Sequence, residues 1–175
     1  MKSTLPIVLA CVFAVSCAQD GDVSYRNVPW DSLDDQRTTP IRLTPDVRRL
    51  LDLAVRDVLT NKDLARTRAF YGPKVADTVG LGNFGSRYDW PKGYEPDIQG
   101  IRFVRLPRIY KRGEGAAPLL GLDVREIVID GNKAAIELCV TNAGGKNTIG
   151  GCSVSYAGAK QGDGWSVKMT SLHDP

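Results

Sequence analysis

The sequence predicts an α+β domain, in which an N-terminal amphipathic helix packs on a curved antiparallel sheet of four to five strands. Two observations lead to this fold class. Apolar residues recur at helical spacing between about 45 and 60, and from 101 onward strand-like segments alternate with turn residues. Helices followed by hairpin-linked strands are typical of α+β proteins.

The helix has a well-marked beginning. Thr44 can accept a hydrogen bond from the first helical turn, Pro45 suits the first helical position, and Asp46 is favoured near the positive end of the helix dipole. An apolar stripe follows, made of Val47, Leu50, Leu51, Ala54, Val55, Val58 and Leu59. A shorter helix is predicted over 63–71, with Gly72 past its end.

The strand candidates are 101–109, 120–129, 133–141, 151–159 and 165–172. The turns at 130–132 and 163–164 contain Asp, Gly and Asn, which tolerate the positive φ angles of tight hairpins. A hairpin that pairs 130 with 133 places Arg125 opposite Leu138. The stretch 72–100 is rich in Gly, Pro and aromatic residues, so we expect mostly loops there, with one short strand near 74–79.

The first seventeen residues have the pattern of an export signal. A lysine at position 2 precedes an apolar run, 5–15, which is too short to span a bilayer core that needs about 20 residues. The following Ala14-Val15-Ser16-Cys17 resembles the lipobox of bacterial lipoproteins. In that family the cysteine is acylated and becomes the mature N-terminus, so the resemblance implies a lipid anchor at Cys17.

The same resemblance implies a location. Because Ala18 rather than aspartate follows the cysteine, it implies sorting to the outer membrane, with the domain facing the periplasm. An alternative is an ordinary cleavage site at Ser16-Cys17-Ala18, which would leave a soluble secreted or periplasmic chain beginning at Gln19.

Residues 18–40 are acidic and aperiodic, which predicts a flexible tether, and 41–175 would form a single domain. The formal net charge of +3 is too small to indicate a nucleic-acid partner. Cys139 and Cys152 remain after the leader, and an even pair in an oxidising compartment predicts a disulfide. Matching the apolar faces of their strands points the two sulfurs to opposite sides, so the disulfide would need a bulge near 150–151.

The layout over 44–172 resembles the NTF2-like and cystatin-like families, in which a helix precedes a curved antiparallel sheet. The final strand opens here on Gly162-Asp163-Gly164-Trp165. The NTF2-like resemblance implies a small-ligand pocket inside the sheet. It is a resemblance of architecture, and architecture alone does not assign a function.

Two groups of residues are candidates for binding. The first is a basic patch of Arg102, Arg105, Arg108, Lys111 and Arg112, which would attract an anionic partner; the alternative is a charged edge strand. The second is an aromatic loop with Tyr88, Trp90 and Tyr94, whose rings suit sugars or protein interfaces; alternatively these rings close the core.

Signals for catalysis are weaker. Glu126 and Glu137 face each other across the predicted hairpin, and such a carboxylate pair can act as acid and base. The lone histidine, His173, leaves no triad and no zinc cluster. The Gly-x-Gly-x-x-Gly string at 80–85 is not followed by a helix start, so we expect no dinucleotide, no other cofactor and no metal.

The sequence therefore favours a non-enzymatic, lipid-anchored binding module for an envelope protein or anionic partner, with a toxin-neutralising immunity protein as one version. The alternatives are a small-ligand pocket protein of the NTF2-like type and an enzyme that uses Glu126 and Glu137.

Overall fold

A computed structural model describes residues 24–25, 39–72, 77–83, 86, 88–106, 119–143 and 151–173. The predicted leader with Cys17 and almost all of the predicted tether lie outside the described residues. So do three members of the predicted basic patch, Arg108, Lys111 and Arg112.

Nine strands are described: β1 Ser24–Tyr25, β2 Thr39–Pro40, β3 Thr78–Leu81, β4 Tyr88–Asp89, β5 Arg102–Arg105, β6 Leu119–Asp130, β7 Lys133–Ala143, β8 Cys152–Gln161 and β9 Gly164–His173. Seven of them form one sheet in the order β5-β3-β6-β7-β8-β9, with β1 paired to β6. The pairings of β3 with β5 and β6 are parallel, whereas β6 to β9 form an antiparallel meander. Strands β2 and β4 make a separate parallel pair.

Two α-helices are described. Helix α1 runs over Pro45–Thr60, where the spacing of apolar residues predicts a helix, and Val47 N donates to Thr44 Oγ1 at 3.2 Å as the capping residues lead one to expect. A 3-10 turn at Lys62–Leu64 leads into α2, Ala65–Tyr71. In this part of the chain neither helix has the length and apolar character needed to cross a bilayer.

The predicted fold class is wrong. Strand makes up 50% of the structure and helix 24%, and the sheet is mixed instead of being an antiparallel sheet of four to five strands. The long helix begins at residue 45 and is therefore not N-terminal in the chain. The physical reason for the mixed sheet is β3, which inserts between β5 and β6. After β3 the chain returns to the end of the sheet where β3 began, so β5 runs parallel to it.

A bulge sets the register of the β6–β7 hairpin. Glu126 pairs with Glu137, as the turn at 130–133 predicts, but the register shifts between Val124 and Glu126. Leu138 consequently pairs with Val124, so the predicted pairing with Arg125 is wrong. One extra residue in β6 changes the parity of the strand, which keeps the apolar residues on both sides of the bulge directed toward the core.

The predicted disulfide between Cys139 and Cys152 is not formed. Strands β7 and β8 pair Cys139 with Ser153 and Val140 with Cys152, so the two sulfurs lie on opposite faces of the sheet. The apolar faces of the two strands are matched, and β7 and β8 pair without a shift over all the positions described. A register shift does occur in β8–β9, between Ser155 and Tyr156, where it leaves the β7–β8 pairing unchanged.

Helix α1 packs its buried residues on the sheet, and they join one continuous core cluster. A glycine in β8 permits this close approach. A Cβ atom added at Gly158 would lie 3.0 Å from Leu50 Cδ2 of α1 and 2.9 Å from Ala134 Cβ of β7. The absence of a side chain at Gly158 therefore lets the helix rest directly on the sheet backbone.

Three carboxylates of α1 lie beside aromatic residues. Near the start of the helix, Trp165 Nε1 donates to Asp46 Oδ1 at 2.8 Å and Lys160 Nζ lies 3.0 Å from Asp46 Oδ2. The hydrogen bond from Trp165 lowers the pKa of Asp46, and the Lys160 ammonium lowers it further. The next two carboxylates, those of Asp52 and Asp57, neighbour Tyr94 and Tyr156 respectively.

Burial is the main influence on Asp52, and it raises the pKa of this carboxylate. The buried Tyr94 side chain lies near this carboxylate, and burial raises the pKa of Tyr94 well above its usual range, with the Asp52 charge raising it further. Asp46 and Asp52 thus lie on the same helix in electrostatically opposite settings.

We expect Asp46→Asn and Asp52→Asn to change acid denaturation in opposite directions. Both groups have an ordinary pKa of 3.8. Ionised Asp46 stabilises the folded state fully above pH 3.8, and this stabilisation is lost as the pH falls through its lowered folded-state pKa. The free energy of unfolding should therefore fall less on acidification in Asp46→Asn than in the wild type. Ionised Asp52 destabilises the folded state above its raised pKa, and this penalty disappears as the pH falls. The free energy of unfolding should therefore fall more on acidification in Asp52→Asn than in the wild type.

The measurement is the free energy of unfolding in urea at a series of pH values from about 2 to 7. Asp63→Asn is the control, because this carboxylate is exposed on the neighbouring turn. A change of the same sign in both α1 variants would show that their electrostatic settings do not differ as described.

Candidate functional site

The β4–β5 segment, residues 90–101, has no helix or strand of its own. Its carbonyl groups therefore need donors from elsewhere. Arg105 of β5 supplies three of them: its guanidinium donates to the carbonyl oxygens of Trp90 at 3.2 Å, Pro91 at 2.6 Å and Tyr94 at 2.6 Å. One side chain thus ties three carbonyl groups of residues 90–94 to β5.

Helix α1 holds the same segment from its other side. Arg48 Nη2 donates to the Gly93 carbonyl and Arg56 Nη2 donates to the Asp97 carbonyl, each at 3.3 Å. The two arginines are eight positions apart, so they project from one face of the helix. Arg48, Arg56 and Arg105 together form what we call the arginine clamp, which makes five hydrogen bonds to the segment.

The aromatic residues predicted to form a binding loop belong to the core instead. Tyr88, Trp90 and Tyr94 are 9%, 4% and 1% exposed, respectively. The rings of Trp90 and Tyr94 stack nearly parallel, with centroids 5.6 Å apart. Trp90 Nε1 donates to the carbonyls of Gly82 and Leu122, both at 3.1 Å. The alternative interpretation, that these rings close the core, describes their position.

The predicted basic patch is divided by the structure. Arg102 and Arg105 both lie on β5, at one edge of the sheet. The guanidinium of Arg105 is occupied by the clamp, and burial lowers its pKa, against the opposing effect of the Asp89 carboxylate. Both described members of the patch are exposed, but only Arg102 has a guanidinium that is not already bound to carbonyls of the β4–β5 segment.

A depression adjoins the start of β5. Its lining includes Glu95, Asp97, Ile98, Ile101, Arg102 and Phe103. The two carboxylates and the Arg102 guanidinium belong to exposed residues, whereas the three apolar residues are half-buried. Because the clamp holds the main chain of this segment, the depression is a preformed feature of the surface. No motif in the sequence marks it; the only signal is a segment without secondary structure beside a strand rich in arginine.

A polar cluster lies on the face of β6 and β7 opposite the core. Asp123 is fully buried, and its Oδ2 atom lies 3.5 Å from Arg125 Nε. Cys139 pairs with Asp123 across the hairpin, and burial raises the pKa of its thiol, against the opposing charge of Arg125. A neutral buried thiol is a poor nucleophile. The sulfur also contacts the backbone at Gly151, where a Cβ atom would collide with it.

The remaining candidates for chemistry are dispersed. His173 is exposed at the end of β9. Glu126 and Glu137 are opposed in the β6–β7 ladder and are both half-buried. The glycine-rich string at 80–85 begins inside β3, and the next regular element is β4 instead of a helix. Over the ranges that the structure describes, no three His, Cys, Asp or Glu side chains form a group that could hold a metal ion.

Comparison with known proteins adds no relative: no protein-family model, no curated protein and no solved structure matches the chain. The fold and the surface therefore define the protein by themselves, as a mixed-sheet domain with an arginine-clamped segment that borders a depression at one sheet edge.

We expect Arg105→Ala to lower the free energy of unfolding by about 2 kcal/mol, because the carbonyls of Trp90 and Tyr94 lose a charged donor in part-buried surroundings. Arg102→Ala removes an exposed arginine from the same strand and should stay within about 0.5 kcal/mol of the wild type. Urea denaturation of the two variants measures the difference. Equal losses would mean that the hydrogen bonds of Arg105 do not hold the β4–β5 segment.

Proposed function

We propose that this chain is a non-enzymatic binding module of the bacterial envelope, attached to the outer membrane through a lipid on Cys17. The support for the anchor is the lipobox-like Ala14-Val15-Ser16-Cys17 after a short apolar run. Mass spectrometry of the mature N-terminus tests it: an acylated Cys17 supports the anchor, whereas an unmodified N-terminus at Gln19 would refute it.

We place the binding surface at the depression beside β5. The main support for this proposal is the arginine clamp, whose five hydrogen bonds hold an irregular surface segment in one conformation. A surface fixed in advance loses less conformational entropy when a partner binds. The depression also combines apolar side chains with charged ones, as protein interfaces do.

The charges favour a protein over a purely anionic partner. Among the residues that line the depression, Glu95 and Asp97 are exposed carboxylates and Arg102 is an exposed cation. The guanidinium of Arg105 is already taken up by three carbonyl groups. A phosphate-bearing surface would be repelled by the two carboxylates, whereas a protein can present both signs of charge. No observation in the described part of the chain favours a small-ligand pocket or an enzyme that uses Glu126 and Glu137.

The test is a pull-down from the native envelope with the lipidated protein. The Glu95→Lys/Asp97→Lys variant reverses both rim charges and should reduce the captured partner by about tenfold or more. The control is Asp130→Lys/Asp163→Lys, which makes the same charge change at two exposed hairpin positions and should capture as much as the wild type. A partner retained by both variants, or lost from both, would show that the depression is not the binding surface.

A further inference from the structure

A short strand connects the predicted tether to the domain. Strand β1 lies within the stretch 18–40 and pairs antiparallel with β6, where Ser24 is opposite Val128. From Val128 strand β6 continues to Asp130, where the β6–β7 turn begins. Because β1 runs against β6, the chain that precedes Ser24 leaves the sheet in the direction of this turn.

Both hairpin turns of the meander lie at this end of the sheet. Lys160 N, near the end of β8, donates to the carbonyl oxygen of Asn132 in the β6–β7 turn at 2.9 Å, and the β8–β9 turn follows directly. Helix α1 begins at the same end, since Lys160 Nζ lies 3.0 Å from Asp46 Oδ2. We call this part of the domain, residues 130–133 and 160–164, the turn end.

The depression lies toward the opposite end of the sheet. Phe103 in its lining and Leu120 of β6 both pair with Val79 of β3, so these residues are level with each other across the sheet. Val128, the partner of Ser24, lies eight residues further along β6, which is about 26 Å at the usual rise of a strand. The β1 contact and the depression therefore lie near opposite ends of the same strand.

The charges of the turn end do not orient it relative to a membrane. Its charged residues are Asp130, Lys133, Lys160 and Asp163, two of each sign. An anionic membrane surface attracts clusters of basic residues, and this balanced set does not form one. A fixed orientation of the domain must therefore come from its covalent connection to the lipid.

That connection is short while β1 stays paired. Cys17 precedes Ser24 by seven residues, which span at most about 25 Å when fully extended. If β1 were unpaired, the next strand along the chain would begin at Thr39, and the residues from Cys17 to Thr39 could span about 75 Å. Pairing of β1 with β6 therefore reduces the largest distance between the lipid and the domain about threefold.

We propose that β1 orients the domain on the membrane, so that the turn end faces the outer membrane and the depression faces the periplasm. This inference rests on the proposed function, because it takes the lipid to be on Cys17. It also specifies the partner of the depression, as a protein that is soluble in the periplasm or extends into it from elsewhere. A partner embedded beside the anchor in the same membrane would meet the turn end first.

The experiment uses the lipidated mature chain in nanodiscs that contain a phospholipid with a gadolinium chelate on its head group. Gadolinium enhances the relaxation of amide protons, and the effect falls steeply with distance. We expect enhancements at Gly131 and Gly162 at least about tenfold larger than those at Ile101 and Phe103, because of the distances along β6 and the connection. Nanodiscs without the labelled lipid give the reference rates.

Two protein variants separate the backbone of β1 from its side chains. Ser24→Pro/Tyr25→Pro removes the N–H groups that can pair with β6, whereas Ser24→Ala/Tyr25→Ala keeps them. We expect the alanine variant to keep the wild-type difference between the two ends and the proline variant to lose most of it, with circular dichroism confirming that both fold. Equal enhancement at both ends of the wild type, or a proline variant that keeps the wild-type difference, would overturn the proposal.

These outcomes are distinct from failure of the proposed function. An unacylated Cys17 would remove the anchor and the orientation together. If Cys17 is acylated and both ends show equal enhancement, the anchor stands and the orientation alone fails. If the orientation holds and no partner is captured by any form of the protein, the binding function fails and the orientation stands.

Discussion

The three hydrogen bonds from Arg105 to the carbonyls of Trp90, Pro91 and Tyr94 are the constraint on which the rest of this surface depends. The β4–β5 segment has no ladder or helix to satisfy its backbone, yet it carries two rings that are almost fully buried. Without donors at those carbonyls, burying the rings would leave polar groups stranded away from water. With them, the rings complete the core, the chain returns parallel to β3, and the depression acquires a fixed wall.

Helix α1 connects this surface to the sheet because it contacts the sheet with one side and the β4–β5 segment with the other. Its apolar side rests on β8, where Gly158 allows Leu50 to approach the backbone. Its polar side reaches the β4–β5 segment through Arg48 and Arg56. A displacement of the helix would therefore disturb the core and the depression together, so the stability of the fold and the shape of the candidate site are coupled. Asp52 lies between these two arginines in sequence, and burial raises the pKa of its carboxylate against the opposing charges of both.

The sequence allowed local features to be predicted better than distant ones. The apolar stripe and Thr44 located α1, and the turn at 130–133 located the pairing of Glu126 with Glu137. The bulge after Val124 was missed because either parity of β6 offers apolar residues to one face. Strand β3 pairs with residues far along the chain, and no local sequence pattern indicates which strand will be its parallel partner. Arg105 was grouped with Arg102 because a run of arginines does not reveal which of them donates its hydrogen bonds to backbone carbonyls.

The most direct test of the account is the hydrogen-exchange rate of the Trp90 indole N–H, measured by NMR in the wild type and in Arg105→Ala. This group is buried and donates to Gly82 and Leu122, so in the wild type it should exchange only with an opening free energy close to that of global unfolding. In Arg105→Ala we expect the β4–β5 segment to open locally, so that the opening free energy of the Trp90 indole falls by more than the free energy of global unfolding does. The opening free energy of the Trp165 indole should fall by no more than that of global unfolding. Exchange of Trp90 that follows global unfolding equally in both proteins would contradict the claim that Arg105 holds the segment in place.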